Sequence, residues 1–252
     1  MKKKQLANTT YASQKEKQTL LQFVRHFKKC PIPDEQILSN LGLFLNSKNL
    51  SRVLFMDHLY RKIIDLQGSI VEFGVRWGQN LALFAALRGI YDTFNRHRKI
   101  IGFDTFEGFP GISQKDGSSE LMKKGNLCVS KNYVKYLEKI LELQEKDNPL
   151  AHIKKFELCP GDAIVGIKKY LTKHPETIIA LAYFDFDLYE PTKECLKLIL
   201  PHVAKGSVIG FDELNDPDSP GETIALREVL KNYTVKIERY RYASRTSYIV
   251  LE

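Results

Sequence analysis

The stretch Ser69-Ile-Val-Glu-Phe-Gly-Val-Arg-Trp-Gly-Gln-Asn-Leu-Ala-Leu-Phe84 decides how the chain is read. From Ile70 to Phe73 the residues are apolar except for Glu72, the pattern of a strand buried on both faces. Gly74 and Gly78 punctuate the turn after it, and residues 80–91 take up helical spacing. A strand that turns on glycine into a helix opens a β-α-β unit, and such sheets bind ligands at the carboxyl ends of their strands. Gly74 is therefore expected to permit a tight turn, and Gly78 to let the helix start close to a ligand.

Working outward, the chain after Gly68 alternates short apolar runs with amphipathic segments, which predicts an α/β sheet that is mostly parallel. Strands are expected at residues 69–73, 99–103, 153–158, 178–184 and 207–211. Two more, 234–240 and 247–251, alternate with period two and are expected to form a terminal antiparallel pair. Helices fit 80–91, 133–145, 163–173, 192–202 and 222–231. Upstream, residues 18–27 and 51–66 show helical spacing, broken by Cys30-Pro31-Ile32-Pro33. The chain is thus expected to divide into an N-terminal helical arm or lid, 1–65, and a Rossmann-like domain, 66–252, with a lid insertion at 111–152.

The spacing Glu72-x-Gly74-x-x-x-Gly78 differs from the Gly-x-Gly-x-x-Gly of dinucleotide folds, which set a pyrophosphate on the helix. A looser turn suits a ligand with no phosphate there, such as S-adenosylmethionine, although an ordinary strand–helix turn would use the same glycines. Asp104 comes after the second strand, where a carboxylate can accept both hydroxyls of a ribose. Thr105 and Phe106 are next in the chain and are grouped with it. Asp162, after the third strand, falls near the expected adenine end, where it would equally serve as a helix cap. Trp77, inside the first turn, reads as either an entrance wall or core.

The fourth strand runs into Asp185-Phe186-Asp187, and the fifth ends in Phe211-Asp212-Glu213. Two carboxylates at the end of a buried strand repel each other unless a cation or donor intervenes. Oxygen ligands without Cys or His favour a hard divalent ion, magnesium first. Tyr183 and Phe186 are read as apolar walls, and Asp216 and Asp218 as a solvated turn.

The segments Val71–Asn80 (VEFGVRWGQN), Gly102–Pro110 (GFDTFEGFP), Phe184–Thr192 (FDFDLYEPT) and Lys205–Glu213 (KGSVIGFDE) resemble, in order and spacing, the macrocin O-methyltransferase (TylF/MycF-like) family over residues 68–233. The resemblance implies a class I methyltransferase fold and magnesium-dependent transfer of a methyl group from S-adenosylmethionine to a sugar hydroxyl. It maps a magnesium ligand onto Asp185 and the general base onto Asp187. It also implies a completing acidic pair, for which the chain offers Asp212 and Glu213 where the family has Asp-Asp. A glycan-precursor acceptor and a homo-oligomer are implied by the same resemblance. Two other readings use parts of the sequence: a glycosyltransferase holding a metal–nucleotide-sugar on Asp185-Phe186-Asp187, and a methyltransferase fold that only binds.

Composition bounds the rest. The net charge of +8 invites a nucleic-acid reading, but residues 1–30 carry eight basic residues against Glu16 alone, so the body is near neutral. Nucleic acid is thereby excluded as a leading partner, while the basic start is a candidate for peripheral contact with an anionic membrane. Cys30, Cys128, Cys159 and Cys195 are too dispersed for a zinc site or a disulfide framework. No apolar run reaches the roughly 20 residues a transmembrane helix needs. A cytoplasmic protein is the resulting expectation.

Overall fold

The structure, a computed structural model, describes residues 12–252. Lys2, Lys3 and Lys4, three of the eight basic residues of the start on which the membrane contact rests, lie outside the described residues. Seven strands form one sheet: β1 Ser69–Phe73, β2 Ile100–Asp104, β3 Phe156–Pro160, β4 Ile179–Phe184, β5 Val203–Phe211, β6 Glu238–Arg239 and β7 Ser247–Val250. Their spatial order is β3-β2-β1-β4-β5-β7-β6. The first five are parallel, and β7 runs antiparallel to both β5 and β6. This is the Rossmann-like sheet of class I methyltransferases with its antiparallel C-terminal pair.

Eight α-helices accompany the sheet among the described residues: α1 Gln14–Lys28, α2 Asp34–Ile37, α3 Ser47–Arg61, α4 Gln79–Tyr91, α5 Tyr133–Asp147, α6 Ala163–Lys173, α7 Tyr189–Ile199 and α8 Gly221–Val229. One face of the sheet packs against α3, α4 and α5, the other against α6, α7 and α8. Phe55, Met56, Leu59 and Tyr60 of α3 are fully buried, so α3 belongs to the core and a division at residue 65 cuts through packed structure. By contrast α1 buries none of its residues. The expected lid also divides in two. Its C-terminal half, α5, lays Leu137 and Leu141 into the core, and only the loop before it faces the sheet's open edge.

Several boundaries differ from the expected ones for physical reasons. The third strand begins at Phe156 rather than 153 because Lys155 is drawn into a buried cluster. Its Nζ lies 2.9 Å from Glu145, which also binds Arg88. The sixth strand shrinks to two residues at the sheet edge, where it pairs on one side only. Helix α7 starts at Tyr189 because Pro191 is tolerated in a first turn, and it ends before Pro201, which has no N–H to continue it.

A row of phenylalanines crosses the strand ends. Phe73 stacks on Phe103 at 5.4 Å and on Phe184 at 4.7 Å, and Phe184 stacks on Phe211 at 5.4 Å. Each pair lies in register across adjacent strands, and all four rings are fully buried. Their immediate successors in the chain are Gly74, Asp104, Asp185 and Asp212. Between β1 and β4 the strand order reverses direction, which is where open α/β sheets bind ligands. Among the described residues no helix is long and apolar enough to cross a membrane.

Truncating the central ring, Phe184→Ala, is expected to cost about 3–5 kcal/mol in urea unfolding. A loss under about 1 kcal/mol would show that the row contributes little.

Candidate active site

Above the phenylalanine row opens a cavity of about 1180 Å³. Its two halves differ in chemistry. Over β1 and β2 the wall is the glycine turn, Asp104 and Asp162; over β4 and β5 the floor is a group of carboxylates.

In the first half, Gly74 takes φ +91°, and an added Cβ would collide with the backbone carbonyl of Asp185. Glycine here is required by the close approach of the β1 and β4 ends, where the Asp185 amide also donates to the Phe73 carbonyl at 2.8 Å. Asp104 receives the amides of Arg76, at 2.7 Å, and Phe106. Burial pushes its carboxyl above the usual range, against the pull of those amides. Thr105 lines the cavity and closes its own turn onto the Gly108 carbonyl at 2.8 Å. Asp162 is both a lining residue and the cap of α6, accepting the Val165 amide at 3.0 Å. Trp77 lines the cavity, braced edge-on by Tyr133 at 4.7 Å.

Three expected residues stand elsewhere. Phe106 is buried in the core beside the turn, its φ of +56° turning the ring away from the cavity wall. Gly78 is not a lining residue either: its missing Cβ makes room for Leu137 of α5, so the glycine serves helix packing. Glu72 is wholly buried behind the wall, where one oxygen accepts from Asn80 at 2.9 Å and the other has no partner. Burial drives its carboxyl well above the normal range. Asn80, the last residue of the VEFGVRWGQN segment and assigned no role from sequence, lines the cavity in front of it.

In the second half, Asp185, Asp187, Asp212 and Glu213 all line the floor, and Phe211 stays in the core instead of taking a floor position. Their charge is managed by groups with no sequence signal. Arg52, from α3, ion-pairs with Asp212, donates to the Tyr183 hydroxyl at 2.8 Å and lies 3.8 Å from Asp185. The Tyr183 hydroxyl in turn donates to Asp212 at 2.7 Å, so this residue, expected as an apolar wall, is instead buried in the core beneath the floor and anchors it through its hydroxyl. Burial alone would raise the Asp212 carboxyl, but Arg52 holds it below its ordinary value. Arg245, before β7, binds Glu213 at 2.5 Å and Asp216 at 3.0 Å. Asp216 is 6% exposed and is therefore part of this buried network, not of a solvated turn.

Glu222 of α8 is fully buried and organises the loop from below. It accepts the amides of Phe186 at 2.9 Å, Asp187 at 3.2 Å and Glu213 at 3.3 Å. Those bonds hold Asp187 at φ +60°, a left-handed conformation that aspartate tolerates better than most residues. Asp187 is driven well above the usual carboxyl range by burial, by its hydrogen bond to Glu213 and by the neighbouring charges.

Whether a divalent cation suits this floor is a question of donors. All are oxygens, and Glu213 Oε2 is buried with no hydrogen-bond partner, so the donor chemistry fits. The spacing is looser than the sequence implied. Among the described residues no three His, Cys, Asp or Glu side chains stand close enough together to hold an ion. Arg52 and Arg245 supply countercharge to Asp212 and Glu213 instead.

The family model for macrocin-O-methyltransferase (TylF) matches residues 52–227, which takes in both the glycine turn and the carboxylate floor. The chain belongs to the TylF family. It is an S-adenosylmethionine-dependent O-methyltransferase. No curated protein matches its sequence. Among solved structures, CalS11, a calicheamicin methyltransferase, is 40% identical with a TM-score of 0.93, over 96% of this chain and 94% of that one. Apo CalS11, described as a TDP-rhamnose 3'-O-methyltransferase, is 38% identical with a TM-score of 0.84, over 96% of both chains. The O-methyltransferase NovP shares the fold at 19% identity, with a TM-score of 0.59 over 80% of this chain and 79% of that one.

Gly74→Ala and Gly161→Ala separate close approach from backbone strain in this TylF enzyme. Gly161 has φ +121° with open space around it, whereas Gly74 has no room at all. Gly74→Ala is expected to lower the melting temperature and S-adenosylhomocysteine affinity well beyond Gly161→Ala. Equal effects would mean that the Gly74–Asp185 contact is not a constraint.

Proposed function

We propose that the protein methylates a hydroxyl of a sugar, with the carboxylate floor as the place where that hydroxyl is activated. The observation that carries this reading is Asp187, buried and held by Glu222 beside Asp185 and Glu213 at the mouth of β4 and β5. The sugar as acceptor is supported by the likeness to CalS11. Asp104, Asp162 and the Gly74 turn would hold S-adenosylmethionine, whose sulfonium supplies an electrophilic methyl group.

Asp187 accepts the hydroxyl proton on its carboxylate oxygen. An aspartate of ordinary pKa, near about 4, is a weak base for an alcohol. Burial, the hydrogen bond to Glu213 and the neighbouring carboxylates raise the proton affinity of this one, the direction that strengthens a general base. Glu222 fixes the loop, so the base keeps its position without a flexible backbone. Magnesium would be held by Asp185, Asp212 and Glu213, and when bound it would acidify the acceptor hydroxyl as a Lewis acid. Arg52, which pairs with Asp212, would have to release that carboxylate.

Asp187→Asn is expected to lower kcat by roughly 10²–10⁴-fold, the usual contribution of a general base, while S-adenosylhomocysteine affinity is unchanged. Unimpaired methyl transfer would remove the base assignment. The same binding assay addresses the glycosyltransferase reading, under which a UDP-sugar, and not S-adenosylhomocysteine, would raise the melting temperature.

Magnesium has its own test. Calorimetric titration into chelator-treated protein is expected to show binding that tightens in Arg52→Gln, because the competing cation is gone. Absence of binding in both proteins would exclude the ion.

We also propose a homo-oligomer assembled through the N-terminal helices. Support comes from α1, whose Leu20, Leu21, Phe23, Val24 and Phe27 are 41–57% exposed and none of whose residues is buried in the single chain. An apolar stripe of this kind is usually an interface. Light scattering should report more than one chain per particle, and Leu21→Lys with Val24→Lys should reduce the mass. A monomeric wild-type protein would contradict the proposal.

A further inference from the structure

The connection from β2 to α5, residues 105–132, carries no regular structure except the short turn Gln114–Asp116. It is longer than the roughly 12–15 residues beyond which such connections are usually lids or binding loops. Thr105, Phe109, Pro110, Leu121 and Leu127 of this loop line the cavity. Its middle has a small core of its own. Phe109 and Met122 are buried together with Leu188, and Ile112, Leu121, Leu127 and Phe186 pack against them. Phe186 and Leu188 are the chain neighbours of Asp187 on either side.

Asp116 ties the loop to the same place by hydrogen bonds. It is 2% exposed, and one oxygen accepts the Ser113 amide within its own turn at 2.5 Å. The other accepts the Tyr189 amide at 2.5 Å. Tyr189 is the first residue of α7, two beyond Asp187. The first amides of a helix need an outside acceptor, and Leu188 in the cap position has no side-chain oxygen to supply one. Asp116 provides that cap from the loop, with the charge that a helix N-terminus favours. Space is reserved for the contact. Gly221, the first residue of α8, leaves out a Cβ that would fall 2.8 Å from Asp116 and 2.6 Å from the Tyr189 amide. The next residue is Glu222, which holds the amides of Phe186 and Asp187.

We propose that Asp116 is a positioning residue for Asp187, coupling the seating of the 105–132 loop over the cavity to the geometry of the base. The inference rests on the reading of Asp187 as the general base. Segment 186–189 is gripped by two acidic side chains: Glu222 from α8 at residues 186 and 187, and Asp116 from the loop at residue 189. A capping side chain at position 188 would stabilise α7 whatever the loop did. Borrowed from the loop, the cap is present only while the loop is seated. Lifting the loop removes the Tyr189 acceptor and the apolar cover of Phe186 and Leu188 together, so the turn carrying Asp187 loses two of its restraints at once. Methyl transfer is thereby confined to the covered cavity. Lys115 adds a weaker tie on the exposed surface, 2.6 Å from Glu228 and 4.0 Å from the centre of the Tyr189 ring.

The test is residue-resolved amide hydrogen exchange, measured by NMR on the full chain. In Asp116→Ala the Tyr189 amide loses its acceptor and exchanges faster under any reading. The coupling predicts that Phe186 and Asp187, whose amides bond to Glu222 and not to Asp116, also exchange faster, by about tenfold or more. Gly74 and Asp212, whose amides bond to the Phe103 and Phe184 carbonyls, should keep wild-type rates. Asp116→Asn retains an oxygen for Tyr189 and should restore the protection of Phe186 and Asp187. Ile112→Ala loosens the loop through its apolar contacts and leaves the Asp116 carboxylate in place; Ile112 is half-buried and does not line the cavity. It should speed exchange at Tyr189 and Asp187 by about threefold or more. Wild-type rates at Phe186 and Asp187 in both alanine variants, or rates that rise in step with those of Gly74 and Asp212, would reduce Asp116 to a helix cap and overturn the proposal. An active Asp187→Asn would instead overturn the base reading with these rates unaltered, which distinguishes the two failures.

Discussion

The stacking of Phe103, Phe73, Phe184 and Phe211 at one register fixes where four strands stop and which residues emerge from their ends. Because each ring occupies the buried side of its strand end, the next residue emerges at the carboxyl edge of the sheet. Gly74, Asp104, Asp185 and Asp212 are those next residues, and they supply the turn, one carboxylate of the cavity wall and two members of the floor. A one-residue slip of β2, β4 or β5 would exchange a buried ring for a carboxylate and reverse both roles. The site is thus positioned by packing beneath it, and the cavity inherits its shape from the row.

Such an edge concentrates negative charge, which a folded protein tolerates only with compensation. The compensation comes from distant parts of the chain, Arg52 on α3 and Arg245 before β7, while Glu222 on α8 accepts the backbone amides of the loop and holds it in shape. This explains why α3 is part of the core even though it precedes the sheet. It also gives the floor two kinds of partner. The guanidiniums pair with Asp212 and with one oxygen of Glu213, while Asp185 and Asp187 line the cavity with raised proton affinity.

How much of the site is legible in the sequence depends on where each signal lies. Carboxylates that end buried apolar strands are out of place chemically, so Asp104, Asp185, Asp187, Asp212 and Glu213 stand out as site residues. Neighbours in a motif are a weaker guide, because adjacent side chains point in different directions. Phe106 and Gly78 belong to their motifs yet serve packing. Arg52, Arg245 and Glu222 sit on amphipathic or loop segments where a charge normally faces water, and nothing local distinguishes them. Asp216 reads as a turn residue for the same reason. The recurrence of Phe-Gly or Phe-Asp at residues 73, 103, 184 and 211 is present in the sequence, and it is the pattern that ties the four strand ends together.

The β4 and β5 mouth is proposed as an acceptor-activating site beside a bound methyl donor, and its most direct test is the anomalous diffraction map of the complex with S-adenosylhomocysteine and Mn²⁺. The nucleoside is expected against Asp104 and the sulfur facing Asp187, with a manganese peak among Asp185, Asp212 and Glu213 and Arg52 moved off Asp212. A nucleoside bound away from this cavity, or an occupied donor site with no metal peak and Arg52 still paired to Asp212, would contradict it.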